Sequence, residues 1–199
     1  MESVRQEFLS MIKILRAFSF LGCIAFFAPV CFADLVAPPR PYVVSSVDGS
    51  HYFKMIPDKK DVWNRAKAKG TLYEVRSGKD KVIYSVSGWY SYQVFISNDG
   101  KYLIRMGDWP SGTPKTEDLA VAFYADGRQK KSYSTLDLLK EPDKAPRSIS
   151  HYRWLDKADE SYMLSEMFSV VTIEKVEITF DITTGKIKFT EPTKAFESK

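Results

Sequence analysis

Residues 92–133 read YQVFISNDGKYLIRMGDWPSGTPKTEDLAVAFYADGRQKKSY. The stretch holds four strand-like runs. Residues 93–97 and 102–106 flank Asn98-Asp99-Gly100, and residues 119–124 and 128–133 flank Asp126-Gly127. Asp-Gly between alternating apolar residues is the strongest short-range hairpin signal, because the turn needs a positive φ that glycine adopts without a Cβ clash. Two such hairpins in succession predict a four-stranded antiparallel meander.

Working outward, residues 42–47 and 50–56 pair across Asp48-Gly49, and residues 71–75 and 81–87 pair across 77–80. Between them, 58–69 (DKKDVWNRAKAK) reads as a short helix capped by Asp58, ended by Gly70 and anchored by Trp63. Residues 134–139 read as a capped helical turn with Ser134 or Thr135 as the cap. Further on, 148–155, 162–170, 173–181 and 186–190 are strand-like, and 191–199 is a polar tail. A proline-rich lead-in covers 34–41.

A shift of 51 residues superposes the first strands without a gap. Val43 falls on Val94, Ser46 on Ser97, Asp48-Gly49 on Asp99-Gly100, Lys54-Met55 on Arg105-Met106, and Leu72-Tyr73 on Phe123-Tyr124. A weaker third unit starts near Ser148. The expected fold is one all-β domain of three blade-like units, 42–87, 92–133 and 148–190, with one or two short helices. The stretch FISNDGKYL at 95–103 resembles the S-x-D-G-x-x-L opening of WD-like β-propeller blades, without the Gly-His and Trp-Asp pairs of that repeat. The chain as a whole looks like small exported bacterial proteins of unknown function. These resemblances imply a blade-like fold and no activity. Three units fall short of the about four to eight of a closed propeller, so the expectation is a partial or open propeller, with copies that assemble or a sandwich of meanders as the alternatives.

At the N-terminus, Lys13 and Arg16 precede the uncharged segment 17–33, AFSFLGCIAFFAPVCFA. A basic region, an apolar run and a terminal small residue predict a secretory signal peptide, with the chain starting at Met1 or Met11. Uncleaved, the same segment is a short membrane anchor. Cleavage after Ala33 predicts a periplasmic or extracellular protein, and it removes both cysteines, Cys23 and Cys31, so no disulfide is expected. The net charge of +4 is spread without a run of five like charges, which gives no footprint for nucleic acid.

The sequence lacks a dinucleotide or phosphate-binding glycine loop, a nucleophile elbow and an H-E-x-x-H pair. No cofactor, metal ligand or catalytic residue is assigned. The two histidines lie in Ser50-His51-Tyr52 and Ser150-His151-Tyr152. Strand neighbours point to opposite faces, so these read as equivalent strand positions rather than nucleophile–base pairs. Asp156, Asp159 and Glu160 form an acidic turn without calcium-loop spacing. What remains is aromatic. Trp89, Tyr90, Trp109, His151, Arg153 and Trp154 lie at strand ends or in loops and are the candidate binding residues, suited to a glycan or a protein loop of the cell envelope. The plain alternative is that these rings fill gaps between twisted sheets. The expected function is an exported, non-catalytic binding or assembly module. The alternatives are an enzyme acting on cell-envelope polymers, with His51 or His151 as acid or base, and a structural subunit of an envelope complex.

Overall fold

The computed structural model describes residues 36–108, 110–156 and 161–193. The expected export signal, Trp109, and Asp159-Glu160 of the acidic turn lie outside the described residues. Among the described residues, three four-stranded antiparallel sheets follow one another in chain order. The first holds β1 (Tyr42–Ser45), β2 (His51–Ile56), β3 (Lys69–Glu74) and β4 (Lys81–Ser87). The second holds β5 (Val94–Ile96), β6 (Tyr102–Met106), β7 (Leu119–Ala125) and β8 (Arg128–Ser134). The third holds β9 (Tyr162–Leu164), β10 (Met167–Val171), β11 (Val176–Asp181) and β12 (Lys186–Pro192). This is the blade architecture of a propeller, left open.

Side-chain alternation explains the stacking. In a strand, successive residues face opposite sides, and the second sheet is apolar on both. Val94, Ile96, Leu103, Ala122 and Tyr124 pack with Phe53, Met55, Leu72 and Val86 of the first sheet. Ile104, Met106, Val121 and Phe123 pack with Phe168, Val170, Ile178 and Phe180 of the third. A bulge between Leu119 and Val121 lets Ala120 and Val121 both enter the second core. Phe123 stands at the centre of that core, with ring centroids 5.1 Å from Phe180 and 6.3 Å from Phe168.

The 51-residue repeat extends to individual hydrogen bonds. Ser46 N–H donates to the His51 carbonyl at 2.8 Å, as Ser97 N–H does to Tyr102 at 3.0 Å. His51 N–H donates to Ser46 Oγ at 3.0 Å, and Tyr102 N–H to Ser97 Oγ at 2.9 Å. Each serine hydroxyl donates to the turn aspartate, Ser46 to Asp48 at 2.7 Å and Ser97 to Asp99 at 2.5 Å. Gly49 and Gly100 close these turns at φ +72° and +67°.

Three expectations are corrected. Residues 58–69 form no α-helix. Asp58 Oδ1 accepts from the N–H groups of Lys60 and Asp61, only a 3-10 turn forms at Arg65–Lys67, and β3 begins at Lys69. The apolar face is too thin to bury, and Trp63 is exposed. Residues 148–155 form no strand of the third sheet. They make isolated bridges, Arg147 to Tyr152 and Leu155 to Thr172. That sheet instead begins with β9, at one of its edges, and 162–170 is broken by a turn in which Ser165 holds φ +55°. The capped turn is present as α1 (Thr135–Leu138), with Ser134 and Asp137 forming a reciprocal capping box.

Candidate functional site

A cavity of about 470 Å³ opens at the ends of β5 and β6 that lie away from the Asp99-Gly100 turn. Its walls come from Tyr92-Gln93, Met106–Asp108, Pro110, the segment 151–155, and Val36-Ala37 of the lead-in. The volume lies within the range of small-ligand sites, about 300–1,000 Å³.

Each wall is fixed by a specific contact. The lead-in is held by tyrosines: Tyr90 Oη donates to the Arg40 carbonyl at 2.9 Å and accepts from Arg40 N–H at 3.1 Å, and Tyr92 Oη donates to the Ala37 carbonyl. Tyr90 and Tyr92 meet edge to face at 5.1 Å. The segment 151–155 is anchored by Tyr152, whose N–H donates to the Pro110 carbonyl at 3.0 Å and whose hydroxyl donates to Asp118 Oδ2 at 2.8 Å. That hydroxyl has spent its one proton, so the 2.6 Å contact with Thr135 is donated by Thr135 Oγ1. Burial pushes the Tyr152 phenol above its ordinary value, reinforced by Asp118 and opposed by Thr135. Ile173 N–H donates to the Trp154 carbonyl at 2.8 Å, which joins the same wall to the third sheet.

Asp108 is the acidic group of the site. Its Oδ2 pairs with Arg65 Nη1 at 2.6 Å, and the Arg65 guanidinium lies 5.7 Å from the Tyr92 ring centroid. Its Oδ1 is buried and has no hydrogen-bond partner. Burial raises the carboxyl above its ordinary value of 3.8, and Arg65 and Arg105 oppose that shift.

Of the sequence candidates, the structure brings His151, Arg153 and Trp154 together in this cavity. Trp154 is otherwise a core residue. Trp89 and Tyr90 lie in the core between the first two sheets, not at the cavity. Trp89 carries the Arg105 guanidinium on its ring at 4.7 Å. Trp109 falls outside the described residues, although its neighbours Asp108 and Pro110 line the cavity. His51 and His151 are not brought together: His51 lies against Gly100 at the start of β6, and His151 lies at the cavity near its end. Ser50 Oγ and His51 Nδ1 are 2.9 Å apart, contrary to the opposite-face expectation, because Ser50 belongs to the turn and β2 starts at His51. Ser50 Oγ also meets Asp48 Oδ1 at 2.8 Å and the Asn98 carbonyl at 2.9 Å, a network that closes the turn and docks it on the second sheet. Ser148, not Ser150, makes the shorter contact to His151 Nδ1, at 2.8 Å. No group of three metal-ligating side chains occurs among the described residues. Sequence reasoning missed Asp108 and Arg65, which are 43 positions apart and share no local pattern.

No family model matches the chain, and no curated protein matches it. Among solved structures, it is similar to HIRA residues 644–1017, with a TM-score of 0.45 at 14% identity over 83% of this chain and 43% of that one. It is also similar to a candidate 6-phosphogluconolactonase from Bacteroides fragilis, with a TM-score of 0.36 at 17% identity over 77% of this chain and 38% of that one. A counterpart from Bacteroides uniformis gives 0.38 at 14% identity over 77% and 40%. The chain spans less than half the length of each.

Proposed function

We propose that this chain is an exported, non-catalytic binding module that takes a glycan of the cell envelope in the cavity between Tyr92, Asp108 and residues 151–155. The observation that carries this reading is the composition of that cavity. Tyr92 offers an exposed aromatic ring, the buried rings of Tyr152 and Trp154 back the wall behind it, and Gln93, His151 and Arg153 offer polar groups, around one concave volume. Sugar rings present apolar C–H faces and hydroxyl edges, and this mixture complements both. The secretory pattern of residues 13–33 supplies the compartment. Calorimetric titration with chitotriose and with soluble peptidoglycan fragments tests it. Binding is expected, with at least tenfold weakening in Arg153→Ala and Tyr92→Ala. Absence of binding to both probes, or binding that both variants leave unchanged, overturns it.

A second reading, an enzyme acting on envelope polymers, has one observation in its favour. Asp108, with its carboxyl raised by burial, lines the same cavity as His151. Turnover of peptidoglycan that is lost in Asp108→Asn would select it over simple binding.

A further inference from the structure

One contact recurs as the sheets stack. The outer hairpin of each sheet carries a register shift at one position: after Leu72↔Tyr84 in the first, Phe123↔Lys131 in the second and Thr179↔Phe189 in the third. Tyr84, Lys131 and Phe189 therefore occupy the same place in the repeat. The outer turn of the second sheet sits on Tyr84, so closely that a Cβ on Gly127 would lie 2.9 Å from its ring. The outer turn of the third sheet sits on Lys131, where a Cβ on Gly185 would lie 2.7 Å from Lys131 Cβ. Phe189 is left 49% exposed. At the other end of the stack, a Cβ on Gly78, in the outer turn of the first sheet, would meet nothing within 4 Å.

The two outward faces match. Val43, Tyr52, Lys54 and Tyr73 on the first sheet stand where the second sheet has Val94, Leu103, Arg105 and Tyr124. The second sheet buries Val94, Leu103 and Tyr124 against its predecessor, whereas Val43 is 58% exposed. On the third sheet, Leu164 and Phe189 are exposed, and Glu177 stands directly opposite Glu191. Like charges so placed repel unless a cation joins them. The repeat supplies one. Lys54 is the counterpart of Arg105, which reaches the strand-end tryptophan of the preceding sheet, and Glu191 lies at that same end of β12.

We propose that a second copy of this chain continues the stack, its first sheet docking on the third sheet of its partner with Gly78 over Phe189 and Lys54 toward Glu177 and Glu191. The joint is continuous with the two sheet–sheet contacts already inside each chain. Two copies make six sheets, within the about four to eight of closed propellers. Each copy then gives its third sheet and receives through its first, so the ring closes with two identical joints.

Sedimentation velocity at micromolar concentration tests this, on protein expressed from the full coding sequence and purified as the host processes it. The expected mass is twice that of the chain. Val43→Glu and Phe189→Glu, at exposed positions that leave the monomer's circular dichroism unchanged, are each expected to sediment as monomers. An equimolar mixture of the two retains one intact joint per pair and is expected to regain the double mass. A monomeric wild type, a dimer that survives either substitution, or a mixture that stays monomeric overturns the proposal.

Discussion

Gly100 and His51 are in contact between the first two sheets. Gly100 holds φ +67°, and a Cβ there would lie 2.5 Å from His51 Cδ2. This glycine is needed twice, once for its backbone and once for the ring it faces. Gly100→Val is expected to destabilise by about 2–5 kcal/mol, from backbone strain plus displacement of the ring. Gly112, at φ +74° with nothing within 4 Å, is the control. Gly112→Ala is expected to cost about 1 kcal/mol, from strain alone. Urea unfolding of both variants checks the difference, and equal costs would remove the contact from the account.

The serine of the repeated turn is a second test. Ser97 is buried, donates to Asp99 and accepts from Tyr102 N–H. Ser97→Ala leaves that N–H without its side-chain acceptor, at an expected cost of about 1–3 kcal/mol. Ser46→Ala, at the equivalent place, is expected to behave alike in equilibrium unfolding.

Phe123 fills the core between the second and third sheets, so Phe123→Ala is expected to cost about 3–5 kcal/mol. The third sheet's amides are expected to lose hydrogen-exchange protection before those of the first, since the lost ring contacts Phe168 and Phe180.

Asp108 gives a pH test. Its folded carboxyl is raised above 3.8, chiefly by burial. The folded state therefore holds this proton more tightly than the unfolded chain does. The resulting stabilisation is fully present below the unfolded value and is lost as pH rises through the folded one. Asp108→Asn removes this titration. The unfolding free energy of wild type minus that of the variant is thus expected to be larger at acid pH than at neutral pH. A difference that stays flat with pH, or grows on raising it, contradicts the assignment.

The first two sheets were legible because Asp-Gly turns and a gapless 51-residue shift are local, residue-by-residue signals. The third was harder. Its turns at Ser165 and Lys175 take positive φ without glycine, so the breaks in 162–170 and 173–181 left no mark in composition. Residues 148–155 alternate like a strand, but they serve as a wall pinned by Tyr152 to Asp118 and Thr135. The cavity was half visible. His151, Arg153 and Trp154 form a conspicuous cluster, whereas Trp89 and Tyr90 look the same in sequence whether a ring faces solvent or a neighbouring sheet. The Arg65–Asp108 pair depends on the tertiary fold alone.

The most direct test of the binding account is an amide-resolved NMR titration of isotope-labelled protein with chitotriose. The account predicts shifts concentrated at Gly107, Asp108 and Tyr152–Leu155, and their loss in Arg153→Ala. Shifts centred instead on Asn98-Asp99 and Met163–Glu166, which line a separate cavity of about 360 Å³, would contradict it, as would no shifts at all.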